Sequence, residues 1–358
     1  MSRSFLCMTW QAGHVPPMLA LAKRLARRGH EVRVLAPSWV ATLASDEYEF
    51  VGGDHVPDWD GERGLLIEEQ LDKVLEYLYL PGWRDAVAEE LRRSPADLLV
   101  SDMLLADGAR AADDLGVPVA FTSVILFQPW YDVYGHFGLQ GETTAEIVDR
   151  AAVSLILLPR QLDYEGGVPP KVRYLGPIAD PDPVEPFTPP WPSENDEPLV
   201  MISFSSSYQR QEVAMEAVAE AVADLPIRAL LLTGRHVQVD APPNVVVRGW
   251  LPHAAVLPQA SLCITHGGMG TIQNSLSYGV PMIVMPHLLE QAMNGQRVFE
   301  IGAGKMVPAE AAADDIRAAV TEVLGDPSYR AAARHASTWF RDGGDRAVEI
   351  LEGVAAGA

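Results

Sequence analysis

The chain has 358 residues, of which 48% are hydrophobic and 21% are charged, so it can form two folded domains and is not a disordered chain. Its formal net charge of −21 argues against a general nucleic-acid binder, because such proteins present a basic surface. The two cysteines, Cys7 and Cys263, provide too few ligands for a structural zinc site or a disulfide framework.

Apolar runs in this chain are short. None approaches the roughly 18 residues that a membrane span needs, and the N-terminus lacks the charged and apolar segments of a secretory signal. The sequence therefore predicts a cytoplasmic protein without stable membrane insertion, whose acidic surface favours solubility.

The first half of the chain alternates apolar runs with segments of helical spacing. Apolar runs bounded by glycine or proline predict strands at 4–10, 31–36, 96–101, 117–123 and 154–158. Apolar residues at helical spacing, each time followed by a glycine, predict helices at 18–28 and 106–115. Residues 42–95 show no regular pattern. This alternation predicts a parallel α/β domain.

Residues 176–198 contain eight prolines, and such a segment cannot continue a helix or a sheet. The alternation then restarts. Predicted strands lie at 199–204, 229–233, 245–247, 261–265 and 282–285. Predicted helices lie at 212–223, 254–257, 271–278, 291–301, 309–324, 329–341 and 344–354. We therefore predict an N-terminal α/β domain at 1–175, a linker at 176–198, a C-terminal α/β domain at 199–340 and a final helical segment at 341–358.

The strongest chemical signal is the segment THGGMGT at 265–271, between a predicted strand and a predicted helix. Glycines let the backbone approach a ligand, and the first amides of a helix together with its dipole form an anion site. His266 and Thr271 can add hydrogen bonds to a phosphate. A tight turn without a ligand explains the glycines equally well. The spacing matches neither the dinucleotide fingerprint nor the P-loop, so NAD and ATP sites are disfavoured.

Two segments flank this motif. Trp250, beside Leu251 and Pro252, can stack on a planar base, although a core tryptophan is an equally ordinary interpretation. Glu290 and Gln291 lie at a strand-to-helix corner, where a carboxylate and an amide can bind neighbouring sugar hydroxyls or simply open a helix.

The order of Trp250, His266 and Gln291 in one α/β domain, after a proline-rich linker, resembles the donor-binding signature of family 1 glycosyltransferases. The resemblance covers nearly the whole chain and is most specific over 247–298. These enzymes glycosylate plant secondary metabolites and decorate bacterial antibiotics. The resemblance implies the GT-B fold, in which two doubly wound, Rossmann-like α/β domains face each other across a cleft. It also implies a nucleotide diphosphate sugar as co-substrate, inversion at the anomeric carbon, and neither cofactor nor metal.

Residue by residue, the resemblance implies a donor site in the C-terminal domain. The base would lie against Trp250 and pair with the backbone of Leu251. Glu290 and Gln291 would bind hydroxyls of the sugar. The positions implied for the diphosphate are Ser206, His266, Gly268, Gly270 and Thr271.

Three positions depart from the family pattern. Ser205 replaces a glycine in the loop that contains Ser206, and His253 replaces a common glutamine near the base. Asn274 stands where many UDP-using members carry a glutamate for the ribose hydroxyls. Since an asparagine makes a weaker clamp and deoxyribose lacks the 2′-hydroxyl, we favour a dTDP-sugar over a UDP-sugar.

The segment GHVPP at 13–17 resembles the G-H-x-x-P motif of the family, which implies His14 as the general base. An attacking alcohol must lose a proton, and imidazole titrates near the working pH. Asp102, after the strand predicted at 96–101, matches the carboxylate that would orient this imidazole. From the residues alone, His14 could equally be a turn histidine and Asp102 a helix N-cap.

Two aromatic groups of the first domain could line an apolar acceptor pocket or pack in the core. They are Tyr77, Tyr79 and Trp83, and Phe127, Trp130, Tyr131, Tyr134 and Phe137. In the resembling enzymes, a final helix like that predicted at 344–354 returns to pack on the first domain.

Together these features predict an inverting, metal-independent transfer of a sugar from a dTDP- or UDP-sugar to a hydroxyl of a small natural-product acceptor. One alternative is a nucleotide-sugar 2-epimerase, which would not need His14. Another is a non-catalytic homologue that binds a nucleotide sugar or assists a partner enzyme. The expected partners are the acceptor and the nucleotide-sugar donor, and not nucleic acid. A homodimer is compatible with the sequence, but no feature demonstrates one.

Overall fold

The computed structural model describes the chain except residues 1, 12, 53–55, 58–72, 74, 75, 133–142, 193, 206–210, 235–238 and 358. The described residues form two compact units. The first unit contains the described residues of 1–182 and 341–358, and the second contains those of 183–340. The proline-rich segment 176–198 is therefore divided between the two units.

Seven parallel strands form the sheet of the first unit within the described residues, in the order β3-β2-β1-β4-β5-β6-β7. Their bounds are β1 Ser4–Met8, β2 Glu31–Leu35, β3 Glu49–Val51, β4 Leu98–Asp102, β5 Val119–Ser123, β6 Val153–Ile156 and β7 Val172–Tyr174. The accompanying helices are α1 Val15–Arg27, α2 Pro81–Arg93, α3 Ala106–Asp114, α4 Phe127–Asp132 and α5 Thr144–Arg150.

The sequence explains why this sheet is parallel. Every residue of β4 and of β5 is buried, so both faces of these strands need a covering layer. Helices in the connections between parallel strands supply that layer. The strand order reverses between β1 and β4, and ligands of open α/β sheets bind beyond the carboxyl ends of the strands at such a reversal.

Six parallel strands form the sheet of the second unit, again counting described residues, in the order β10-β9-β8-β11-β12-β13. Their bounds are β8 Leu199–Ser203, β9 Arg228–Leu232, β10 Val245–Arg248, β11 Ala260–Thr265, β12 Met282–Val284 and β13 Gly304–Met306. The helices are α6 Glu212–Val222, α7 His253–Val256, α8 Met269–Ser277, α9 Leu289–Glu300, α10 Ala313–Gly325 and α11 Pro327–Ser337. Here the reversal lies between β8 and β11.

The last helix, α12 (Gly344–Gly357), belongs to the first unit and packs against α1. Its buried residues Val348 and Leu351 share a hydrophobic cluster with Leu21 of α1. Arg24 of α1 donates to Asp345 at 3.0 Å. Apolar burial and an ion pair thus both hold this helix on α1. No helix within the described ranges is long and apolar enough to cross a bilayer.

Several predicted elements are incomplete. The prediction misses β3, β7 and β13, because each has three residues including a charged one and so gives no continuous apolar run. It also misses α2, α4 and α5. The predicted starts of α1 and α8 are three and two residues late, respectively, and the first turn of α1 contains Pro16 and Pro17. Proline is tolerated in the first turn, where its missing amide hydrogen is not needed.

Candidate active site

His14 and Asp102 lie together beyond the carboxyl edge of the first sheet. Asp102 is the last residue of β4, and His14 is the N-cap of α1, which follows β1. Since β1 and β4 are paired neighbours, with Met8 opposite Ser101, both residues lie at the reversal of strand order. The sequence prediction placed them on separate segments, and the fold brings them into contact.

The contact between them is a short hydrogen bond. Nδ1 of His14 lies 2.6 Å from Oδ2 of Asp102. The other carboxylate oxygen, Oδ1, accepts from the backbone amide of Leu104 at 2.9 Å and caps the short 3₁₀ turn Met103–Leu105. The Asp102 side chain is only 4% exposed and that of His14 is 14% exposed. Asp102 is therefore both the N-cap of this turn and the hydrogen-bond partner of His14, and its role in catalysis stays a prediction.

The charge of Asp102 suits this position. A helix N-terminus disfavours a positive charge, and α1 has no acidic residue in its first turn. A protonated His14 would therefore be poorly stabilised by its own helix. The carboxylate of Asp102 offsets this, since an opposite charge in hydrogen-bond contact favours the imidazolium.

Trp10 supports the imidazole from the side and was not predicted. Its ring centroid lies 5.5 Å from that of His14 and 5.9 Å from that of Tyr77, which packs edge-on against Trp83 at 5.7 Å. Trp10, Tyr77 and Trp83 are all buried. These aromatic side chains therefore form part of the hydrophobic core beneath His14. The only signal in the sequence is an aromatic residue at the end of the first apolar run.

The second aromatic group lies on and after α4. Phe127 is buried and stacks on Tyr131 with ring centroids 5.2 Å apart. The backbone amide of Phe127 donates to Asp163 at 2.8 Å. Tyr134 and Phe137 lie outside the described residues. Phe127 is thus a core residue, whereas Trp130 and Tyr131 are partly accessible.

The glycine turn of the second unit lies between β11 and α8, at the β8–β11 reversal. Gly267 has φ +93°, and a Cβ there would lie 2.8 Å from Cγ1 of Val284. A Cβ on Gly268 would lie 2.5 Å from Nε2 of His266. The positive φ and the close contacts therefore require glycine at 267, whereas at 268 an added Cβ would displace the ring of His266. Gly270 is exposed, and a Cβ there would meet nothing within 4 Å. Gly270 keeps the first turn of α8 open to a ligand.

His266 is buried beside this turn. Its pKa is lowered to about 3, mainly by burial and then by the nearby His287 and His253, while the Ser203 backbone acts in the opposite direction. Thr271, also buried, lies in the first turn of α8. The N-terminus of α8 with these polar side chains has the composition of an anion site.

Trp250 follows β10, and its side chain is 67% exposed. This exposure excludes the core-tryptophan interpretation. Leu251 is partly buried. Since β10 and β11 are separated by β9 and β8, three strand spacings of about 4.8 Å separate Trp250 from the glycine turn, roughly 14 Å. That separation leaves room for a nucleoside between an aromatic platform and an anion site.

Glu290 and Gln291 adjoin the glycine turn through α9. Gln291 is 2% exposed, and its Oε1 accepts from the amides of His287 at 2.9 Å and Leu288 at 3.1 Å, which caps α9. Asn294, which was not predicted, donates to the carbonyl oxygen of Gly267 at 2.9 Å and to Glu290. The signal for Asn294 in the sequence was its position four residues after Glu290, a spacing that places two side chains next to each other on a helix. The amide oxygen of Gln291 is thus used within the protein, and sugar contact by this residue stays a prediction.

The structure describes three of the four remaining positions of the predicted donor site. Asn274 donates from Nδ2 to the carbonyl oxygen of Gly270 at 2.7 Å, which directs its side chain along α8 toward the glycine turn. Ser205 is buried, and its carbonyl oxygen accepts from Gln211 at 3.0 Å. Ser206 lies outside the described residues. His253 contacts the hydroxyl of Ser203 at 3.0 Å.

One cavity of about 820 Å³ lies elsewhere in the second unit, beside α6. It is lined in part by Glu216, Glu220 and Asp240 and by no residue of the predicted donor site. Three carboxylates would repel a diphosphate, so this cavity does not suit the predicted donor.

The family model described as erythromycin biosynthesis protein CIII-like, C-terminal domain, matches residues 212–338. The chain is 27% identical to 4'-demethylrebeccamycin synthase of Lentzea aerocolonigenes, over 99% of both chains. It is also 27% identical to demethyllactenocin mycarosyltransferase of Streptomyces fradiae, over 96% of this chain and 84% of that protein. The crystal structure of glycosyltransferase VinC in complex with dTDP superposes with a TM-score of 0.75 at 20% identity, covering 99% of this chain and 100% of the other.

These matches agree with the two parallel α/β units. The predictions of the fold class and of the family are confirmed. The chain is a glycosyltransferase of GT-B fold, similar over nearly its whole length to family 1 enzymes of antibiotic and natural-product biosynthesis.

Proposed function

We propose that this glycosyltransferase moves a sugar from a dTDP- or UDP-sugar to a hydroxyl of a small natural-product acceptor, with inversion, without a metal, and with His14 as general base. The observation that carries the proposal is the 2.6 Å hydrogen bond between His14 and Asp102 at the strand reversal of the first sheet. An imidazole oriented by a buried carboxylate is the arrangement that a general base requires.

The proton chemistry follows from that hydrogen bond. A carboxylate oxygen only accepts, so Nδ1 of His14 carries the hydrogen and Nε2 presents a lone pair. Nε2 takes the acceptor's hydroxyl proton while the hydroxyl oxygen forms a bond to the anomeric carbon. The bond from that carbon to the diphosphate oxygen breaks on the opposite face, and the configuration inverts. Asp102 stabilises the imidazolium that results.

The leaving diphosphate acquires negative charge as this bond breaks. The first amides of α8 and its dipole point at the glycine turn, where the exposed Gly270 gives an anion access. We assign the diphosphate to His266, Gly268, Gly270 and Thr271 on this ground. Fixed amides stabilise this charge without a metal ion, because they are already oriented before the bond breaks.

Two observations favour dTDP as the nucleotide. Asn274 donates one of its two amide hydrogens to the Gly270 carbonyl, and its single neutral oxygen accepts a hydrogen bond from a ribose hydroxyl more weakly than a carboxylate would. The related fold of VinC was solved with dTDP. The exposed Trp250 would stack on thymine or on uracil and does not discriminate between them.

A thermal-shift panel followed by a transfer assay tests this proposal. UDP, dTDP, GDP and ATP are compared with and without magnesium, since a ligand present at 100 times its Kd stabilises the folded state by about 2.7 kcal/mol. We expect a shift with dTDP or UDP that magnesium does not change, and a glycoside product by mass spectrometry with the matching donor and an acceptor panel. A shift only with ATP, or only with magnesium present, would contradict the proposal.

A further inference from the structure

Asp163 is a buried carboxylate in the segment that follows β6, and it is only 2% exposed. Its Oδ2 accepts from the backbone amides of Phe127 at 2.8 Å and Gln128 at 3.2 Å and from the hydroxyl of Tyr174 at 2.7 Å. Its Oδ1 accepts from the amide of Tyr164 at 2.8 Å. In the described part of the chain, these neutral donors join Asp163 to segments at the carboxyl ends of β5, β6 and β7.

The position of α4 depends on this carboxylate. The helix has six residues, and a helix of that length is not stable by itself in water. Its first amides have no partner within the helix. The residue before it is Leu126, whose side chain cannot accept a hydrogen bond, so the acceptor comes from Asp163, 36 residues after Phe127.

The loop that contains Asp163 is itself held in place. Arg160 donates to the carbonyl oxygens of Tyr164 at 2.6 Å and Gly166 at 3.2 Å. Its guanidinium lies 5.2 Å from the ring centroid of Tyr174. A Cβ on Gly166 would lie 2.1 Å from Cδ of Gln128, so the loop backbone lies directly against the first turn of α4.

α4 lies beside the His14–Asp102 pair. Thr122 of β5 is the partner of Asp102 in β4, about 4.8 Å away, and α4 begins four residues after β5 ends. Trp130 of α4 packs on the hydrophobic cluster that contains Val15, the residue after His14. A small molecule with a hydroxyl at Nε2 of His14 can therefore reach α4.

The aromatic side chains of α4 differ in exposure. Phe127 is buried, whereas Trp130 and Tyr131 are partly accessible. Because Tyr131 stacks on Phe127 with ring centroids 5.2 Å apart, the bond that fixes Phe127 also fixes Tyr131. Aromatic side chains are suited to bind an apolar or aromatic face of a ligand. We call Trp130 and Tyr131 the aromatic wall.

We propose that Asp163 is a positioning residue of the acceptor site, which holds α4 so that an apolar or aromatic ring of the acceptor packs on the aromatic wall beside His14. This inference rests on the proposed function, since it takes His14 as the base that meets the acceptor. Asp163 acts through α4 and does not touch the acceptor. A carboxylate is needed because both of its oxygens accept, whereas an asparagine offers one oxygen and turns its own N–H groups toward the other donors.

Transfer from dTDP-glucose to umbelliferone, a flat phenol, tests the inference on the full chain. In Asp163→Ala the first amides of α4 lose their acceptor, so we expect the KM for umbelliferone to rise by roughly tenfold or more. Asp163→Asn keeps one acceptor oxygen and should recover part of this loss. Tyr174→Phe keeps the ring and removes a single hydrogen bond, so it should fold and raise the KM by a smaller factor.

Two measurements separate positioning from general destabilisation. Hydrolysis of dTDP-glucose without an acceptor needs His14 and the donor site but no aromatic wall, so its rate and the Kd for dTDP should stay at the wild-type values. Amide hydrogen exchange of residues 124–132 should become faster in both Asp163 variants, because α4 opens locally, while exchange in the second unit should not change.

Glu90→Gln is the matched control. Glu90 is a buried carboxylate of the same unit that pairs with Arg33 and Arg93. It lies near the end of α2, which leads into the amino end of β4, whereas Asp163 and α4 lie at the carboxyl edge of the sheet. This variant should lower the free energy of unfolding and leave the KM for umbelliferone unchanged.

The outcomes separate this inference from the proposed function. A wild-type KM in both Asp163→Ala and Tyr174→Phe, an equal rise in Glu90→Gln, or an equal loss of transfer and hydrolysis would overturn the inference and leave the base standing. Wild-type transfer to polar acceptors but not to umbelliferone would also overturn it. Absence of transfer by the wild-type chain to every acceptor would overturn the proposed function and the acceptor role of Asp163 together, even where hydrogen exchange shows that Asp163 holds α4.

Discussion

Asp102 divides its carboxylate between His14 and its own chain: Oδ2 lies 2.6 Å from Nδ1 of His14, and Oδ1 accepts from the Leu104 amide at 2.9 Å. The second bond holds the carboxylate in the orientation that the first bond uses. A residue at the end of β4 thereby fixes the tautomer of a residue that follows β1.

Asp102→Asn tests this relationship. An asparagine still caps the 3₁₀ turn, but its amide donates to Nδ1 of His14 and leaves the hydrogen on Nε2, where it blocks proton abstraction. We expect kcat to fall by about 10²- to 10⁴-fold, the usual contribution of a general base. The Kd for dTDP and the free energy of unfolding should change little, since asparagine and aspartate cap equally well. A kcat within a few-fold of wild type would remove Asp102 from the mechanism.

Trp250→Ala tests the base platform. Because stacking of a base on an aromatic ring contributes about 1–3 kcal/mol, we expect the Kd for dTDP to rise by roughly 5- to 150-fold. Stability should hardly change, because the side chain is 67% exposed. Phe299→Ala is the matched control, since Phe299 on α9 is a 57% exposed aromatic residue of the same unit. Equal losses of affinity in both variants would show that Trp250 has no specific role.

The glycine turn offers a pair of variants that separate folding from binding. In Gly267→Ala, the positive φ and the contact with Val284 should lower the free energy of unfolding by roughly 1–3 kcal/mol. In Gly270→Ala, the added methyl group meets open space, and alanine is the better helix former, so stability should be kept or increased. Binding of dTDP should nevertheless weaken by roughly tenfold, about 1.4 kcal/mol. Wild-type affinity in Gly270→Ala would show that no ligand approaches this turn.

Burial of His253 beside Ser203 predicts how the stability of the ligand-free chain depends on pH. His253 has a pKa of about 4 in the folded chain and about 6.5 when unfolded, so between these values the unfolded state binds the additional proton. Its contribution is therefore complete above pH 6.5 and is lost as pH falls toward 4, by up to about 1.4 kcal/mol per pH unit.

Urea unfolding of wild type and His253→Gln at pH 7.5, 6.5 and 5.5 measures this term. As pH falls, the free energy of unfolding of the wild type should decrease relative to that of His253→Gln. His335→Gln serves as a control and should follow the wild-type pH dependence. Parallel pH profiles for wild type and His253→Gln would disprove a buried neutral imidazole at this position.

Much of the fold was predictable because parallel strands with two buried faces give continuous apolar runs. The runs that became β4 and β8 are of this kind. The three-residue strand β13 gives no such signal and was missed. The predicted start of α1 was late, because its first turn contains Pro16 and Pro17 and the apolar helical spacing begins only at Met18.

Residues of the candidate site could be predicted where a short sequence motif itself contains the groups that suggest binding or proton transfer. The glycine turn and the His14 segment are of this kind. Contacts between distant segments were not predictable from local pattern: Trp10 packs on His14, and Asn294 bonds the carbonyl of Gly267 across 27 residues. Gln291 has a second use that the sequence did not reveal, because its amide oxygen caps its own helix, and its contact with a sugar stays a prediction.

The most direct test of the central claim is His14→Ala, assayed for transfer and for dTDP binding in the same preparation. We predict that glycoside formation falls by about 10²-fold or more, as expected on removal of a general base, while the Kd for dTDP stays at the wild-type value. Wild-type turnover in this variant would exclude His14 as the base and with it the proposed mechanism.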